Sequence, residues 1–263
     1  MEPITSKENK AVKEIQKLLK LTKHRLKSRL FVIEGARLCE DALQSGVQIK
    51  TVCVTQGARE KHAALIERLC AAAEITYIMP QELFCTLSDL VTPQGVLCVC
   101  RMREDSFRLE SGSYIGLENM QDPQNMGTIL RTAEAFGLTG VVMSGGCCDI
   151  YAPKVVRGSM GAVFRLNFHI TDDLPSFALS MRQNGFKTYG AVADRAARPV
   201  TGLSLSKEDK AAVFIGNEGN GLTGELLDMC AEKITIPMGG RAESLNAATA
   251  ASIVMWEMVR GRV

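Results

Sequence analysis

Three polar segments in the second half of the chain contain the residues best suited to bind a small molecule or to act on one. The first, ENMQDPQNMGTILRTA, spans residues 118–133; the second, GNEGNGL, spans 216–222; the third combines IPM at 236–238 with ESLN at 243–246. A glycine-rich loop lets the backbone approach a ligand closely and offers free amides before the next helix. Each segment alone is weak evidence, because such a loop is also an ordinary tight turn.

Several common kinds of site are excluded by the motifs that the sequence lacks. There is no G-x-x-x-x-G-K-[ST] phosphate loop, and no strand is followed by G-x-G-x-x-G. The nine cysteines include no C-x-x-C pair, and the three histidines, His24, His62 and His169, are far apart with no H-E-x-x-H. Because zinc sites need such spacings, the sequence predicts no metal site. We expect most cysteines to be buried, reduced thiols.

Asn125 and Arg131 are the most suggestive pair in the first segment. They are six residues apart on a helix predicted over 125–137, a rotation of about 600°, so they are offset by about 120° and can flank one cleft. Asn125 could simply cap the helix. Arg131 offers a planar fork of donors that suits a phosphate, but it could equally form a surface salt bridge with Glu134 or Glu118.

Polar residues in the other two segments also have an ordinary and a catalytic interpretation. Asn217 and Glu218 follow a predicted strand that ends at Gly216. Ser244 and Asn246 lie near the start of a final helix predicted from about 243 to 260, where they suit an N-cap and a first-turn position. The same side chains suit hydrogen bonding to a substrate, and spacing alone leaves the choice open.

Strands alternate with helical patterns in both halves of the chain, which is typical of an α/β fold. The predicted strands are LFVIE, TVCVT, ITYIM and GVLCVC in the first half, and YIGLEN, TGVVMSG, FKTYGAV, AAVFIG and KITIPM in the second. The charged stretch RMREDSFRLESGS interrupts this alternation. We therefore predict an N-terminal domain over 1–102, a linker over 103–112 and a second domain over 113–263. Strands of the second domain end in glycine or small polar residues, at the edge where open α/β sheets bind ligands.

The composition is that of an ordinary globular protein, with 46% hydrophobic and 23% charged residues. This much apolar surface excludes intrinsic disorder, and no apolar run approaches the ~18 residues of a membrane-spanning helix. The charged N-terminus has no apolar signal-peptide core, so we expect a cytoplasmic protein. The net charge is +2, but residues 1–30 carry nine Lys or Arg against three Glu, an excess of +6. That excess favours nucleic-acid binding slightly over a merely solvated helix face.

Taken together and in order, the three polar segments resemble the motifs of the SpoU/TrmH family of RNA 2′-O-ribose methyltransferases, within the SPOUT superfamily. The resemblance covers residues 113–263. Residues 1–101, with their basic start, look like the ribosomal-protein-like RNA-binding domain that many ribosomal-RNA members carry. The implied fold is α/β: a C-terminal knotted SPOUT (trefoil-knot) domain with a parallel sheet, preceded by a smaller α/β RNA-binding domain.

The resemblance also implies site residues and a cofactor, S-adenosylmethionine. It implies catalytic roles for five polar residues, namely Asn125, Arg131, Glu218, Ser244 and Asn246. It implies cofactor contacts for six further positions, namely Gly216, Asn217, Gly219, Ile236, Met238 and Leu245. Because a guanidinium stays protonated in proteins, we expect Arg131 to anchor the substrate phosphate and to stabilise negative charge on the ribose 2′-oxygen.

The implied function is S-adenosylmethionine-dependent methylation of a ribose 2′-hydroxyl, with large-subunit (23S) ribosomal RNA as the expected substrate. The implied partners are this RNA and a second copy of the chain, with the active sites beside the dimer interface. Two alternatives are a tRNA ribose methyltransferase and a non-catalytic RNA-binding or ribosome-assembly protein with the same fold. A nucleotide-binding oxidoreductase is disfavoured by the missing G-x-G-x-x-G.

Overall fold

The computed structural model describes residues 1–104 and 107–262, and these residues form two compact units. The first unit consists of Met1–Glu104 and Asp149–Phe164, and the second of the described residues of 105–148 and 165–263. The segment 149–164 therefore packs with the N-terminal residues, although the sequence places it in the domain over 113–263. Contacts define these units, and the domain boundaries themselves stay a prediction.

The first unit contains five strands and several short helices. Its strands are β1 (Glu2–Pro3), β2 (Leu30–Glu34), β3 (Ile49–Val54), β4 (Ile75–Ile78) and β5 (Val96–Arg101). Its helices are α1 (Lys10–Lys20), α2 (Thr22–Ser28), α3 (Ala36–Gln44), α4 (Gln56–Lys61), α5 (Ala63–Ala72) and α6 (Gln81–Cys85), followed much later in the chain by α8 (Pro153–Gly158). The sheet order is β1-β4-β3-β5-β2, and the two pairs that involve β5 are antiparallel.

The basic N-terminal segment folds as an amphipathic helix in this unit. In α1, Val12, Ile15 and Leu18 are buried in the core, whereas lysines occupy the opposite, exposed face. Arg25 does not contribute to that basic surface, because it is 3% exposed and its Nε donates to Asp149 Oδ2 at 2.7 Å. The buried ion pair ties the segment 149–164 to α2, 124 residues away along the chain.

The second unit is built on seven strands. They are β6 (Gly112–Leu117), β7 (Gly140–Ser144), β8 (Phe168–Thr171), β9 (Lys187–Ala191), β10 (Arg198–Pro199), β11 (Lys210–Ile215) and β12 (Glu232–Thr235). The helices are α7 (Pro123–Ala135), α10 (Leu174–Gln183), α11 (Gly224–Met229) and α12 (Ala247–Val259), while the short α9 (Ala162–Arg165) crosses the boundary between the units.

The sheet of the second unit is parallel throughout, in the order β10-β12-β9-β11-β6-β7-β8. The predicted α/β fold with a parallel sheet is therefore confirmed. The central strands β6, β7 and β11 are almost wholly buried, as expected when helices cover both faces of a parallel sheet. Because all the strands point the same way, their carboxyl ends lie at one edge.

Several predicted element ends are wrong. The strand predicted over 114–119 ends at Leu117, because Asn119 adopts a left-handed φ of 52°. The strand predicted over 233–238 ends at Thr235, and the final helix starts at Ala247 instead of 243. The single helix predicted over 58–73 is two helices that meet at His62.

Cys53, Cys98 and Cys100, which lie within apolar runs of the sequence, are buried free thiols, as expected for most of the cysteines. Burial raises the pKa of Cys53 to about 12, so this thiol stays protonated and unreactive at neutral pH. Across residues 1–104 and 107–262, no helix is long and apolar enough to cross a membrane.

Candidate functional site

The three polar segments meet at the carboxyl edge of the parallel sheet in the second unit. β6 leads into the first segment, β11 into the glycine loop and β12 into the third. β6 pairs directly with β11, and β9 lies between β11 and β12. Segments that are about 100 residues apart in the sequence are therefore neighbours in space.

Three of the predicted catalytic residues form one hydrogen-bonded chain. Asn125 Nδ2 donates to Glu218 Oε1 at 2.9 Å, and Asn246 Nδ2 donates to Asn125 Oδ1 at 3.0 Å. Each residue comes from a different polar segment. Asn125 is 7% exposed, and its amide group bridges the other two residues, so the chain fixes the geometry of all three segments at once.

The helix caps are not all where the sequence suggests. Asp122, not Asn125, caps α7, and its side chain accepts a bond from Gln124 N at 2.8 Å. This frees Asn125 for the hydrogen-bonded chain. Asn246 caps α12 through Oδ1, which accepts from Ala248 N and Thr249 N. Ser244 is exposed in the loop before α12.

Glu218 is a carboxylate at neutral pH. Partial burial raises the pKa of Glu218, but hydrogen bonds from the Asn125 amide and nearby backbone N–H groups outweigh it, so that pKa lies below its ordinary value. Stability from this carboxylate is present above its unfolded pKa and is lost as the pH falls through the lowered folded pKa. Glu218 therefore contributes a fixed negative charge near the start of α7, where the helix dipole favours an anion.

The glycine loop is held closed by its own first asparagine. The backbones of Asn217 and Gly221 exchange two hydrogen bonds of 3.1 and 3.0 Å, and Asn217 Oδ1 accepts from Gly219 N at 2.8 Å. Asn217 Nδ2 donates to Asn119 O at 2.8 Å, which joins the loop to the end of β6. A Cβ on Gly216 would lie 2.0 Å from the Gly221 carbonyl carbon, so this turn requires glycine.

A cavity of about 410 Å³ opens beside this loop. All six predicted cofactor positions line it, namely Gly216, Asn217, Gly219, Ile236, Met238 and Leu245. Glu218 and Ser244 line it too. The sequence analysis missed the wall formed by residues 191–194 after β9, although that strand also ends at the ligand-binding edge.

Arg131 stands apart from the hydrogen-bonded chain. It is exposed in α7, and it has no hydrogen bond or ion pair with any residue that the structure describes. Neither suggested surface partner pairs with it: Glu134 accepts from Arg165 Nε at 2.7 Å, and Glu118 accepts from Thr223 N. The guanidinium is therefore free for an external group.

The buried carboxylate of Glu118, which the sequence analysis did not single out as a site residue, stabilises two of the segments that form the site. Glu118, 4% exposed, accepts from Thr223 N and from Thr223 Oγ1, both at 2.7 Å. Thr223 caps α11, so the pair connects the end of β6 to the helix after the glycine loop. The sequence signal for this role is that Glu118 and Asn119 directly follow the apolar strand β6.

We expect Thr223→Val to lower the free energy of unfolding by about 1–3 kcal/mol, because the buried Glu118 carboxylate loses a hydrogen-bond donor and α11 loses its N-cap. Thr223→Ser keeps the hydroxyl and should lose less than about 1 kcal/mol. Urea denaturation of the two variants, followed by circular dichroism, measures the difference. Equal stability of both variants would contradict a structural role for the hydroxyl.

No group of three or more His, Cys, Asp or Glu residues in the described parts of the chain is arranged to hold a metal ion. The groups that do converge at the site are side-chain amides, backbone N–H and C=O groups, and one carboxylate that accepts hydrogen bonds. Such a set suits the binding and orientation of an organic ligand.

Comparison with known proteins identifies similar sequences over nearly the whole chain. The SpoU rRNA Methylase family matches residues 112–256, and the MRM3-like substrate binding domain matches residues 9–98. The chain is 31% identical over 258 residues to the 23S rRNA (guanosine(2553)-2′-O)-methyltransferase RlmP of Bacillus subtilis, covering 98% of this chain and 99% of that protein. It is 29% identical to the 23S rRNA (uridine(2479)-2′-O)-methyltransferase of Streptomyces viridochromogenes, covering 99% of this chain and 92% of that protein.

Solved structures give the same result. An AdoMet-bound rRNA methyltransferase from Sinorhizobium meliloti matches with a TM-score of 0.84 and 28% identity, over 100% of this chain and 98% of that one. The SpoU methyltransferase AviRb from Streptomyces viridochromogenes, in complex with AdoMet, matches with a TM-score of 0.83 and 25% identity, over 97% and 98% of the two chains. The similarity therefore extends over both units of the fold.

Proposed function

The chain belongs to the SpoU rRNA methylase family, and from this premise we propose that it methylates a ribose 2′-hydroxyl of large-subunit ribosomal RNA with S-adenosylmethionine. The observation that carries the proposal is the convergence of all six predicted cofactor positions on one cavity, beside the chain of Glu218, Asn125 and Asn246. Two relatives over nearly full length are named 23S rRNA 2′-O-methyltransferases, and two similar structures contain AdoMet.

The cavity suits S-adenosylmethionine in size and in chemistry. Its volume of about 410 Å³ lies within the ordinary range for small-molecule sites. The glycine loop presents backbone groups that can read an adenine edge or a ribose, and Ile236, Met238 and Leu245 offer apolar walls. The bound cofactor supplies an electrophilic methyl group on a sulfonium sulfur.

We propose that the polar residues orient the substrate and stabilise developing charge. Arg131, which has no partner among the described residues, anchors the phosphate beside the target ribose and stabilises negative charge on the 2′-oxygen. Asn125 holds the Glu218 carboxylate and the start of α12 in one arrangement. Ser244, exposed at the cavity, is placed to contact the ribose or the cofactor. Alignment of the reacting groups then supplies much of the acceleration.

RNA has one basic surface and one cavity of mixed charge available to it, since Arg195 and Arg241 in that cavity are balanced by Asp194 and Glu243. One is the lysine face of α1 in the first unit. The other is a second cavity of about 620 Å³, which shares Asp194, Ile236 and Met238 with the first and adds the exposed Arg195 and Arg241. We propose that the N-terminal domain, 1–102, binds the RNA and that the domain over 113–263 catalyses methyl transfer. The match of residues 9–98 to a substrate binding domain supports this division.

We further propose a homodimer, a trefoil knot at the C-terminus and a cytoplasmic location, where ribosomal RNA is the substrate. The dimer is supported by an exposed aromatic surface, since Trp256 of α12 is 45% exposed and lies 5.7 Å from the ring of Phe136. Sedimentation of the full chain at twice its mass is the expected result. The knot is proposed from the resemblance of the three polar segments to the motifs of SPOUT enzymes.

The test of the function uses the purified full chain with radiolabelled S-adenosylmethionine and unmodified RNA. We expect S-adenosylhomocysteine to bind and the labelled methyl group to be transferred to 23S rRNA. The phosphodiester next to the methylated ribose should then resist alkaline hydrolysis, because a methylated 2′-oxygen cannot attack it. Label in tRNA alone would favour the tRNA alternative. Cofactor and RNA binding without transfer would favour the non-catalytic alternative, and NADH binding in place of S-adenosylhomocysteine would favour an oxidoreductase.

Gly216→Ala tests the cofactor site. The added Cβ would lie 2.0 and 2.2 Å from backbone atoms of Gly221 and Leu222, so the loop must move. We expect the affinity for S-adenosylhomocysteine to fall about tenfold, measured by isothermal titration. Gly224→Ala is the matched control, because a Cβ at Gly224 would have no atom within 4 Å and the affinity of this variant should be unchanged. Equal affinities of the two variants would place the cofactor elsewhere.

A further inference from the structure

A further cavity lies in the first unit, where no role has been assigned to it. It is a cavity of about 260 Å³ at the carboxyl end of β2 and the start of α3. Its lining combines acidic groups, basic groups and apolar side chains, among them Glu34, Arg37, Leu38, Leu90 and Arg157. This volume is smaller than the roughly 300–1,000 Å³ of drug-sized sites, so it suits a single aromatic base.

Glu34 is the group that gives this cavity its chemistry. The side chain is 8% exposed, and one oxygen, Oε1, accepts from Ser88 Oγ at 2.5 Å. Within the described residues, no other hydrogen-bond donor reaches this carboxylate. A carboxylate has acceptor capacity for about four hydrogens, so Glu34 can accept further hydrogen bonds from a ligand in the cavity. Burial raises the pKa of Glu34, and further N–H donors would stabilise its charged form.

The charges around Glu34 favour a neutral ligand over a free anion. Glu34 and Asp41 balance Arg37 and Arg157, so the four formal charges that line the cavity cancel. Arg37 is exposed and Arg157 is half-buried at the rim. Guanidinium planes stack on nucleobases and also bind phosphate, and RNA-binding proteins use both contacts on unstacked bases. Leu38 and Leu90 supply the apolar surface that a base needs on its faces.

From these observations we infer that the cavity of the first unit binds a guanine base that the RNA presents unstacked, with Glu34 accepting its N1–H and N2–H groups. This inference rests on the proposed function for the choice of RNA as the ligand. Guanine is favoured because two of its donors lie side by side and match the two oxygens of one carboxylate. Adenine, cytosine and uracil place an acceptor next to each donor on that edge, and an acceptor repels a carboxylate.

The site also gives a role to the segment 149–164. Arg157 comes from α8, which packs against β2 within the first unit. This segment lies inside the part of the chain that matches the methylase family, although it packs with the N-terminal residues. The guanine site is therefore built from both the N-terminal sequence and this later segment.

The test compares RNA oligomers that differ in one exocyclic group. The full chain is titrated with 5′-UUGUU-3′, with the same oligomer carrying inosine in place of guanosine, and with 5′-UUAUU-3′, by fluorescence anisotropy. Inosine lacks the N2 amino group. Because a bidentate pair discriminates between bases by about 1–3 kcal/mol, we expect the guanosine oligomer to bind roughly tenfold tighter than either of the others. Equal affinities of the wild-type chain for all three would overturn the inference, and this comparison needs no variant to fold.

Glu34→Gln locates the discrimination. Glutamine keeps an oxygen for Ser88 but offers one acceptor where guanine needs two, so the tenfold preference should disappear. Glu67→Gln is the matched control, since Glu67 is exposed in the same unit, outside the cavity, and the preference should persist. Retention of the preference in Glu34→Gln would overturn the inference. Guanosine monophosphate binding as tightly as the oligomer would also overturn it, because the ligand would then be a free nucleotide.

The same protein preparations separate this inference from the proposed function. Affinity for S-adenosylhomocysteine and methyl transfer report on the cavity of the second unit, whereas the guanosine preference reports on that of the first. Absence of the preference in the wild-type chain, with intact cofactor binding, would count against the guanine site alone. A preserved preference without cofactor binding or transfer would count against the methyltransferase function alone.

Discussion

Arg131→Ala should reduce methyl transfer by roughly 100-fold or more while leaving S-adenosylhomocysteine affinity and stability nearly unchanged. Arg131 is exposed on α7, has no hydrogen bond or ion pair among the described residues and does not line the cofactor cavity. Removing it therefore breaks no contact within the described fold. The loss should appear in turnover, because the contact with the 2′-oxygen strengthens as negative charge develops there.

Two further variants make this measurement specific. Arg131→Lys keeps the charge but loses the planar fork, so it should recover only part of the activity. Arg182→Ala removes another exposed arginine of the same unit, on α10, and should transfer methyl groups at the wild-type rate. Single-turnover rates with saturating RNA and cofactor distinguish chemistry from binding. A wild-type rate in Arg131→Ala would assign the residue to an ordinary surface position.

Local sequence signals predicted most strands of both units because each depends on its own residues. LFVIE forms β2 over the predicted residues, 30–34, since four consecutive apolar residues, 30–33, are buried together. The same kind of signal was available for the start of α7. Asp122 is followed by Pro123, and an aspartate before a proline is typical of a helix N-cap followed by a proline in the first turn. Predicting the helix from 125 ignored this pair, and it made Asn125 a candidate cap.

Long-range pairings were beyond this kind of argument. Arg25 and Asp149 are 124 residues apart, and each is also plausible as a solvated surface charge. Val155 and Val156 are buried, but their apolar pattern fits the core of either unit equally well. Composition and periodicity show that a segment must pack, not which partner it packs against. The assignment of 149–164 to the first unit therefore required the structure.

The cofactor positions show the opposite case, in which a motif is informative because its geometry is local. Gly216 to Leu222 form a closed turn through contacts within the loop itself, so the residue pattern and the shape go together. The motif did not reveal the hydrogen bonds between Glu118 and Thr223 that stabilise the loop. Glu118 and Thr223 are 105 residues apart, and neither is identifiable as a partner of the other from sequence alone.

The lysine face of α1 should dominate RNA affinity, and its removal should weaken binding by about 100-fold or more at 0.1 M salt. Lys10, Lys17 and Lys20 are exposed, lie opposite the buried face of the helix and have no ion pair in the described structure. At 100° per residue these three fall within about 80° of one another, so one RNA backbone can contact all of them. The triple variant Lys10→Gln, Lys17→Gln and Lys20→Gln removes these contacts without disturbing the buried face.

The salt dependence of binding is the decisive measurement for this face. Each phosphate contact contributes about 0.7–0.9 to the slope of log affinity against log salt, so the triple variant should show a slope shallower by about 2–3. The control neutralises Lys61, Lys207 and Lys233, which are exposed and dispersed over the two units. It changes the net charge equally and should keep most of the wild-type slope.

Substituting charges is preferable to truncating the chain. Residues 149–164 belong to the first unit, so removing the N-terminal residues would separate this segment from the residues it packs with. Equal slopes for both triple variants would mean that α1 is not the main RNA-binding surface, and that RNA affinity comes instead from Arg195 and Arg241 beside the cofactor cavity.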